Sequence, residues 1–380
     1  MSDLPVSLYF TPEWWDRHYH ERQARPERPA EAAIEAMYLG RQRFLFEVLG
    51  DWGVGAERPE LGPGQIATVI RHGFDLIPAL LGTRLDFADA WGFYPRSRTL
   101  GEIRALRPVD AAMTPEGDWL VAGKERLTQR YGGCSHCVDL GSVTNNAFRI
   151  LGQDVYAEAL ADPEGLQGLF EVILETERCL HRFLTDLFGP QDPVPVSNCN
   201  VSLLGPATYE RLVVPFDGRQ ALFAAELSGG QPRAAVHHCD VNADPFLSVY
   251  AKLPGLVSLQ ASIESDIAAA WAALPGAAFR ALVSPSALSG NRARLRATCT
   301  RAVADGAAEF AVWNVDADTT PGRVGEALRV FREAAAAGGR GLCVSAMPLC
   351  WEEFEWAHGR YRSTPVSVRQ QYQFMMKTVP

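Results

Sequence analysis

The sequence predicts an α/β protein: a (β/α)8 barrel of the TIM type with a helical N-terminal extension and a C-terminal tail. Three observations carry this. From about residue 190 to about 340, apolar runs alternate with amphipathic stretches in at least five units, with no linker between them. Strands alternating with helices of that length imply a parallel sheet. No GxGxxG or GxxxxGK[ST] stretch is present, whereas an open doubly wound sheet offers a glycine-rich phosphate loop after its first strand. Finally, each apolar run ends in polar residues, as in "SNCN", "HHCD", "QASIESD", "SPSALSG" and "WNVDAD". A barrel places its active site at those strand ends.

Residues 1–65 read as the helical extension. Thr11, Pro12 and Glu13 open "TPEWWDRHYHERQ" as a capped helix, and "AEAAIEAMYLGRQRFLFEVLG" continues with helical period. Residues 66–340 hold the barrel. "LQGLFEVILETERCLHRFLTDLFG" is its long amphipathic helix, and "RAAVHHCDV", "LVSLQASIES" and "EFAVWNVDADTTP" are strands running into loops. Residues 341–380 form a tail packing on the barrel. The aromatic stretches "PEWWDRHYH" and "WGFYPR" read first as core and second as pocket wall.

The 380 residues are 47% hydrophobic and 21% charged, so the chain can bury a large core. A net charge of −9 with scattered arginines argues against a nucleic-acid or anionic-membrane partner. No apolar run is long enough to span a bilayer, and the N-terminus lacks a basic segment followed by an apolar one. The expected location is the cytoplasm, with the eight cysteines as reduced thiols. Cys179 and Cys299 sit in helical patterns and read as buried filler.

The stretch "AAVHHCDVN" carries the main functional signal. His237 and Cys239 are two apart at a strand end, so they share one face and can reach one ion. Imidazole and thiolate suit zinc, and a catalytic site takes a third protein ligand and keeps one position open. His238 points to the other face, toward a helix or a carboxylate. The plainer reading is a hydrogen-bonded strand end with Cys239 as filler. Asn198 and Asn200 share a face in "SNCN", with Cys199 on the other, and can offer donors to a substrate carboxylate or carbonyl. Asn145 and Asn146 open a helix, which they can cap, or bind substrate. Tyr209 and Asp240 complete the substrate-binding candidates. In "YGGCSHCVDLG" the Cys134/Cys137 pair reads as a redox pair or as incidental thiols.

Beyond these motifs, the chain resembles the uroporphyrinogen decarboxylase superfamily from about residue 65 to about 335. "GQDVYAEALADPEGLQGLFEVI", "SNCNVSLLGPATYERLVVPFDGR", "AAVHHCDVNADPFLSVYAKLPGLVSLQASIESD" and "AEFAVWNVDADTTPGRVGEALRVFREAA" carry the likeness. The resemblance implies the same barrel and one of two chemistries: metal-free decarboxylation, or zinc-dependent methyl transfer to a thiol. The decarboxylases' "RQAGRY"-like segment is absent, and His237-His238-Cys239 is similar to the methyltransferases' His-x-Cys. The resemblance therefore implies zinc, catalytic His237 and Cys239, and a methyl donor that is a small molecule or a corrinoid on a partner protein. The methyltransferases' third ligand, a cysteine at the last barrel strand, falls here on "WNVDAD", so Asp316 is expected to replace it, or Cys343 or Cys350 to fold back. Glu264 or Asp266 would orient His237, unless it caps the next helix. Asp240 stands where those enzymes usually have glycine. A decarboxylase or lyase acting on a small carboxylate is the alternative, a non-catalytic partner protein is the third reading, and a homodimer is expected of a barrel with added helices.

Overall fold

The structure, a computed structural model, describes residues 2–19, 31–62, 66–68, 76–83, 85–89, 92–95, 98–136, 138, 140–240, 242–346 and 349–350. Its strands, in chain order, are β1 (Leu4–Phe10), β2 (Ile66–Thr68), β3 (Leu85–Asp89), β4 (Gly92–Pro95), β5 (Ser135–His136) and β6 (Val194–Asn198). They continue with β7 (Ala234–His238), β8 (Leu256–Ser262), β9 (Ala278–Val283), β10 (Glu309–Val315), β11 (Leu342–Ala346) and β12 (Leu349–Cys350).

Seven of them form one sheet in the order β11-β1-β10-β9-β8-β7-β6. Every neighbouring pair in it is parallel. A three-stranded parallel sheet, β12-β2-β5, and the antiparallel β3–β4 pair accompany it. From β6 to β11 the strands alternate with helices, among them Pro206–Leu212, Leu247–Tyr250, Ile267–Ala273, Arg292–Ala304 and Pro321–Ala337. The α/β class and the parallel sheet read from the alternation are thus present.

The first ten residues depart from the expected helical extension, because β1 lies inside the main sheet between β10 and β11. Its sequence LPVSLYF buries every second side chain, Leu4, Val6, Leu8 and Phe10, which is strand period rather than helix period. The helix after it matches the reading. Pro12–His18 starts at Thr11, whose side chain accepts from Trp14 N at 3.3 Å. This helix packs on the loop after β10: Trp14 Nε1 donates to Thr319 O at 2.7 Å, His18 Nε2 lies 2.9 Å from Ala317 O, and Arg17 pairs with Asp318 at 2.6 Å. Trp14 and Trp15 are core, the first of the two readings of that aromatic stretch. The "WGFYPR" side chains fall outside the described residues.

Helices Glu31–Leu49 and Pro163–Phe188 match the periodic stretches read as helical. The tail also contributes to the sheet: β11 pairs with β1 from Leu4↔Leu342 to Leu8↔Ala346. Residues 351–380 lie outside the described part of the chain. No helix among the described residues is long and apolar enough to cross a membrane. Cys299 is fully buried and Cys179 half-buried.

Candidate metal centre

Strands β6 and β7 run parallel with Ser197 opposite His237 and Asn198 opposite His238. Side chains alternate between sheet faces, so this register sorts the two strand ends. Asn198 and His238 fall on the helix-covered face. Ser197, Cys199, His237 and Cys239 fall on the other, joined by Gln260 of β8, which is opposite His237. One ligand atom each from Cys199, His237 and Cys239 lies within 4.8 Å of the others, and all three residues are half-buried. His237 Nε2 is 3.0 Å from Cys239 Sγ.

Gln260 settles the histidine. Its Oε1 accepts from His237 Nδ1 at 2.7 Å, so Nδ1 carries the proton and the Nε2 lone pair faces the sulfurs, the tautomer a metal requires. The two thiols are strongly unequal. The Cys239 thiol hydrogen-bonds to Cys199, which outweighs burial and holds Cys199 well below the ordinary thiol value. Cys239 is pushed well above it by the same hydrogen bond, by burial and by the charges of Cys199 and Asp240. The hydrogen bond between them thus favours deprotonation of Cys199 over that of Cys239.

This donor set fits zinc. With Zn–S near 2.3 Å and Zn–N near 2.0 Å, tetrahedral ligand atoms stand roughly 3.5 Å apart, and the cluster needs only small movements to reach that. Two thiolates and one neutral imidazole are soft, zinc-selective donors, and three protein ligands leave a fourth position.

Asp316, the expected third ligand, is engaged outside the cluster. Asp316 Oδ1 accepts from Asp318 N at 3.2 Å, Thr319 N at 3.0 Å and Thr319 Oγ1 at 2.8 Å. It closes the turn that the Pro12–His18 helix clamps, and it is not in the cluster. Cys343 is exposed on β11, and the side chains of Cys350 and Asn314 lie outside the described residues. Cys199, assigned by the sequence reading to the face away from substrate, completes the cluster.

Asn198, Asn146 and Tyr209, expected to bind substrate, are hydrogen-bonded within the protein. Asn198 is buried and donates to Tyr209 Oη and to Asp217 Oδ2, both at 2.9 Å. Tyr209 is also buried and donates to Asp217 Oδ2 at 2.6 Å. Asn146 is buried and donates to Leu140 O at 2.8 Å and to Glu177 Oε1 at 2.7 Å. These side chains are spent in the wall behind the site. Asn200 and Asp240 stay half-buried beside the cluster, and Asn200 Nδ2 donates to Asn145 Oδ1 at 3.4 Å. Asp266 caps helix Ile267–Ala273 by accepting from Ala269 N at 2.9 Å, and Glu264 pairs with Arg294 at 3.5 Å. The orienting role expected of one of them falls to Gln260. Cys134 lies near Lys124 O at 3.8 Å, and Cys137 is outside the described residues.

His238 faces the helices as expected: it is buried, with Nδ1 2.7 Å from Tyr250 Oη. Burial lowers it to about 4, so it is neutral. Tyr250→Phe should leave that nitrogen without a partner, at a cost of about 1–3 kcal/mol. Urea unfolding of the variant checks this, and an unchanged midpoint would show the contact to be idle.

No protein-family model matches the sequence, and no curated protein matches it. In fold the chain is similar to a methyltransferase from Methanosarcina mazei: the match covers 98% of this chain and 95% of that one, with a TM-score of 0.52 at 12% identity.

Proposed function

We propose that the protein is a zinc-dependent methyl (alkyl) transferase that acts on a thiol or related small-molecule acceptor, with Cys199, His237 and Cys239 holding the metal. The observation that carries this reading is the Cys-His-Cys cluster at the ends of two adjacent parallel strands. The likeness in fold to a solved methyltransferase supports it. So does the tautomer that Gln260 imposes on His237. Asp316 is no longer assigned a ligand role.

Zinc bound there would supply a Lewis acid with one open position, which lowers the pKa of a thiol acceptor so that its thiolate exists at neutral pH. The chain's own residues do the rest. Gln260 keeps the Nδ1 proton in place and Nε2 free. Cys199 and Cys239 would hold the metal as thiolates, so loading the site would release their protons. The buried Asn198–Tyr209–Asp217 set fixes the end of β6 from behind. The donor, a small methylated molecule or a corrinoid carried by a partner protein, presents its methyl group opposite the acceptor sulfur.

The barrel belongs to the same proposal. Two seams support closure of the sheets on each other. β11 and β12 are separated by two residues in the chain and lie in different sheets, and Ser197 N donates to Gly141 O at 3.3 Å. Gly141 has φ 75° there, and a Cβ on it would stand 2.9 Å from Asn146 Nδ2, so only glycine fits this crossing.

The test is the metal content of the purified wild-type protein after metal-replete expression, followed by methyl-transfer assays with thiol acceptors. Near-stoichiometric zinc is the expected result. Zinc-free protein would sink the metal reading and make metal-free decarboxylation of a small carboxylate the leading chemistry.

A further inference from the structure

We propose that Asn145 is a positioning residue for this centre, turning Cys199 toward the metal; the inference rests on the metal reading above. The paired register of β6 and β7 ends at Asn198↔His238. One residue further, the Cys199 N–H has left the ladder and needs an acceptor. Asn145 provides it: its Oδ1 accepts from Cys199 N at 3.1 Å and from Asn200 Nδ2 at 3.4 Å. One side-chain oxygen thus holds two successive residues of the turn that carries the cysteine.

Asn145 is itself fixed. It lies in the first turn of helix Val143–Leu151, and its N–H is taken by the capping Ser142 Oγ at 3.3 Å. Immediately before that cap lies the start of the same tie: Gly141 O accepts from Ser197 N at 3.3 Å. The segment 141–145 and the end of β6 are thus joined at Ser197, Cys199 and Asn200. Without the tie at Cys199, the cysteine is free to rotate away from His237 and Cys239, and a ligand that must first be ordered binds metal more weakly.

The experiment uses the full chain, purified metal-free and titrated with cobalt(II) and with zinc against a chromophoric chelator, as wild type, Asn145→Ala and Asn145→Asp. Aspartate keeps the acceptor for the Cys199 N–H and suits the first turn of a helix, so it serves as the conservative variant that folds. Expected are thiolate-to-cobalt absorption bands in wild type, zinc affinity lower by roughly 10–100-fold in Asn145→Ala with weakened bands, and recovery of most of the lost affinity in Asn145→Asp. In Asn145→Ala the Cys199 amide should also exchange its hydrogen faster, while the urea midpoint changes little. Wild-type bands with unchanged affinity and spectrum in Asn145→Ala would overturn the role of Asn145 and leave the metal centre standing. Absence of metal binding by wild type would overturn the metal reading and this inference with it.

Discussion

Cys199→Ser is expected to empty the metal centre, whereas Asp316→Ala is expected to leave its zinc affinity unchanged. The two variants separate the ligand set in the structure from the one expected at the end of β10. Cys199 supplies one of three ligand atoms lying within 4.8 Å of one another, and the hydrogen bond from Cys239 holds its thiol well below the ordinary value. A serine hydroxyl is harder and stays protonated near neutral pH, so it replaces the thiolate poorly. The loss should exceed the roughly 10–100-fold typical of an outer partner. Asp316 spends its Oδ1 on Asp318 N, Thr319 N and Thr319 Oγ1, so its removal should loosen the turn and cost stability, not zinc. Zinc content and chelator competition measure the first effect, and urea unfolding the second. Zinc retained in Cys199→Ser and lost in Asp316→Ala would reverse the assignment.

Asp217→Asn is expected to abolish a pH dependence that runs opposite to that of an ordinary ion-paired carboxylate. Asp217 is fully buried behind the site. Burial raises it from 3.8 to about 6, against the hydrogen bonds from Tyr209 and Asn198. A carboxyl raised in the folded state contributes stability that is complete below about pH 4 and lost as pH rises through about 6. A difference of about two pH units corresponds to roughly 3 kcal/mol. His181 and His238 act in the other direction: burial lowers each to about 4, so their contribution is present above about 6.5 and lost as pH falls toward 4. The informative quantity is therefore the difference between variant and wild type, from urea unfolding at about pH 5 and about pH 8. That difference should move by roughly 1–1.5 kcal/mol in favour of the variant between those two pH values, since the first half of the effect is already lost by about pH 5. Parallel curves would mean that Asp217 is not held as the buried geometry implies.

The parts of this molecule legible in the sequence are those set by local pattern. Thr11 and Pro12 announce a helix, "LFEVILETERCLHRFL" announces another, and His237 and Cys239 share a face by strand period alone. The departures come from quantities that period does not contain. Alternation along β6 correctly opposes Asn198 to Cys199, yet which face holds the site depends on the register with β7. Setting "SNC" beside "HHC" aligns the two cysteines, and only pairing information licenses that step. Gln260 escapes the sequence reading for the same reason: it acts through the residue opposite it on β7, not through its neighbours in sequence. Leu4–Phe10 is as apolar as a helix start, and the capped helix directly after it draws the reading toward a helical extension. The alternation of Leu4, Val6, Leu8 and Phe10 is nevertheless a strand signal present in the sequence.

The place of β1 bears on how the protein is made. This strand leaves the ribosome long before its partners: Ser7 Oγ donates to Glu309 across 302 residues of chain, and the β11 partner ends at Ala346. Until β10 and β11 emerge, the apolar face of Leu4, Val6 and Leu8 waits without a sheet, and once β10 has formed, its outer edge is open until β1 inserts. Such an edge pairs readily with strands of other chains. The nascent chain therefore needs Leu4–Phe10 shielded until the last βα unit emerges, and the sheet is completed by joining segments far apart in sequence, not by the segments that carry the metal ligands.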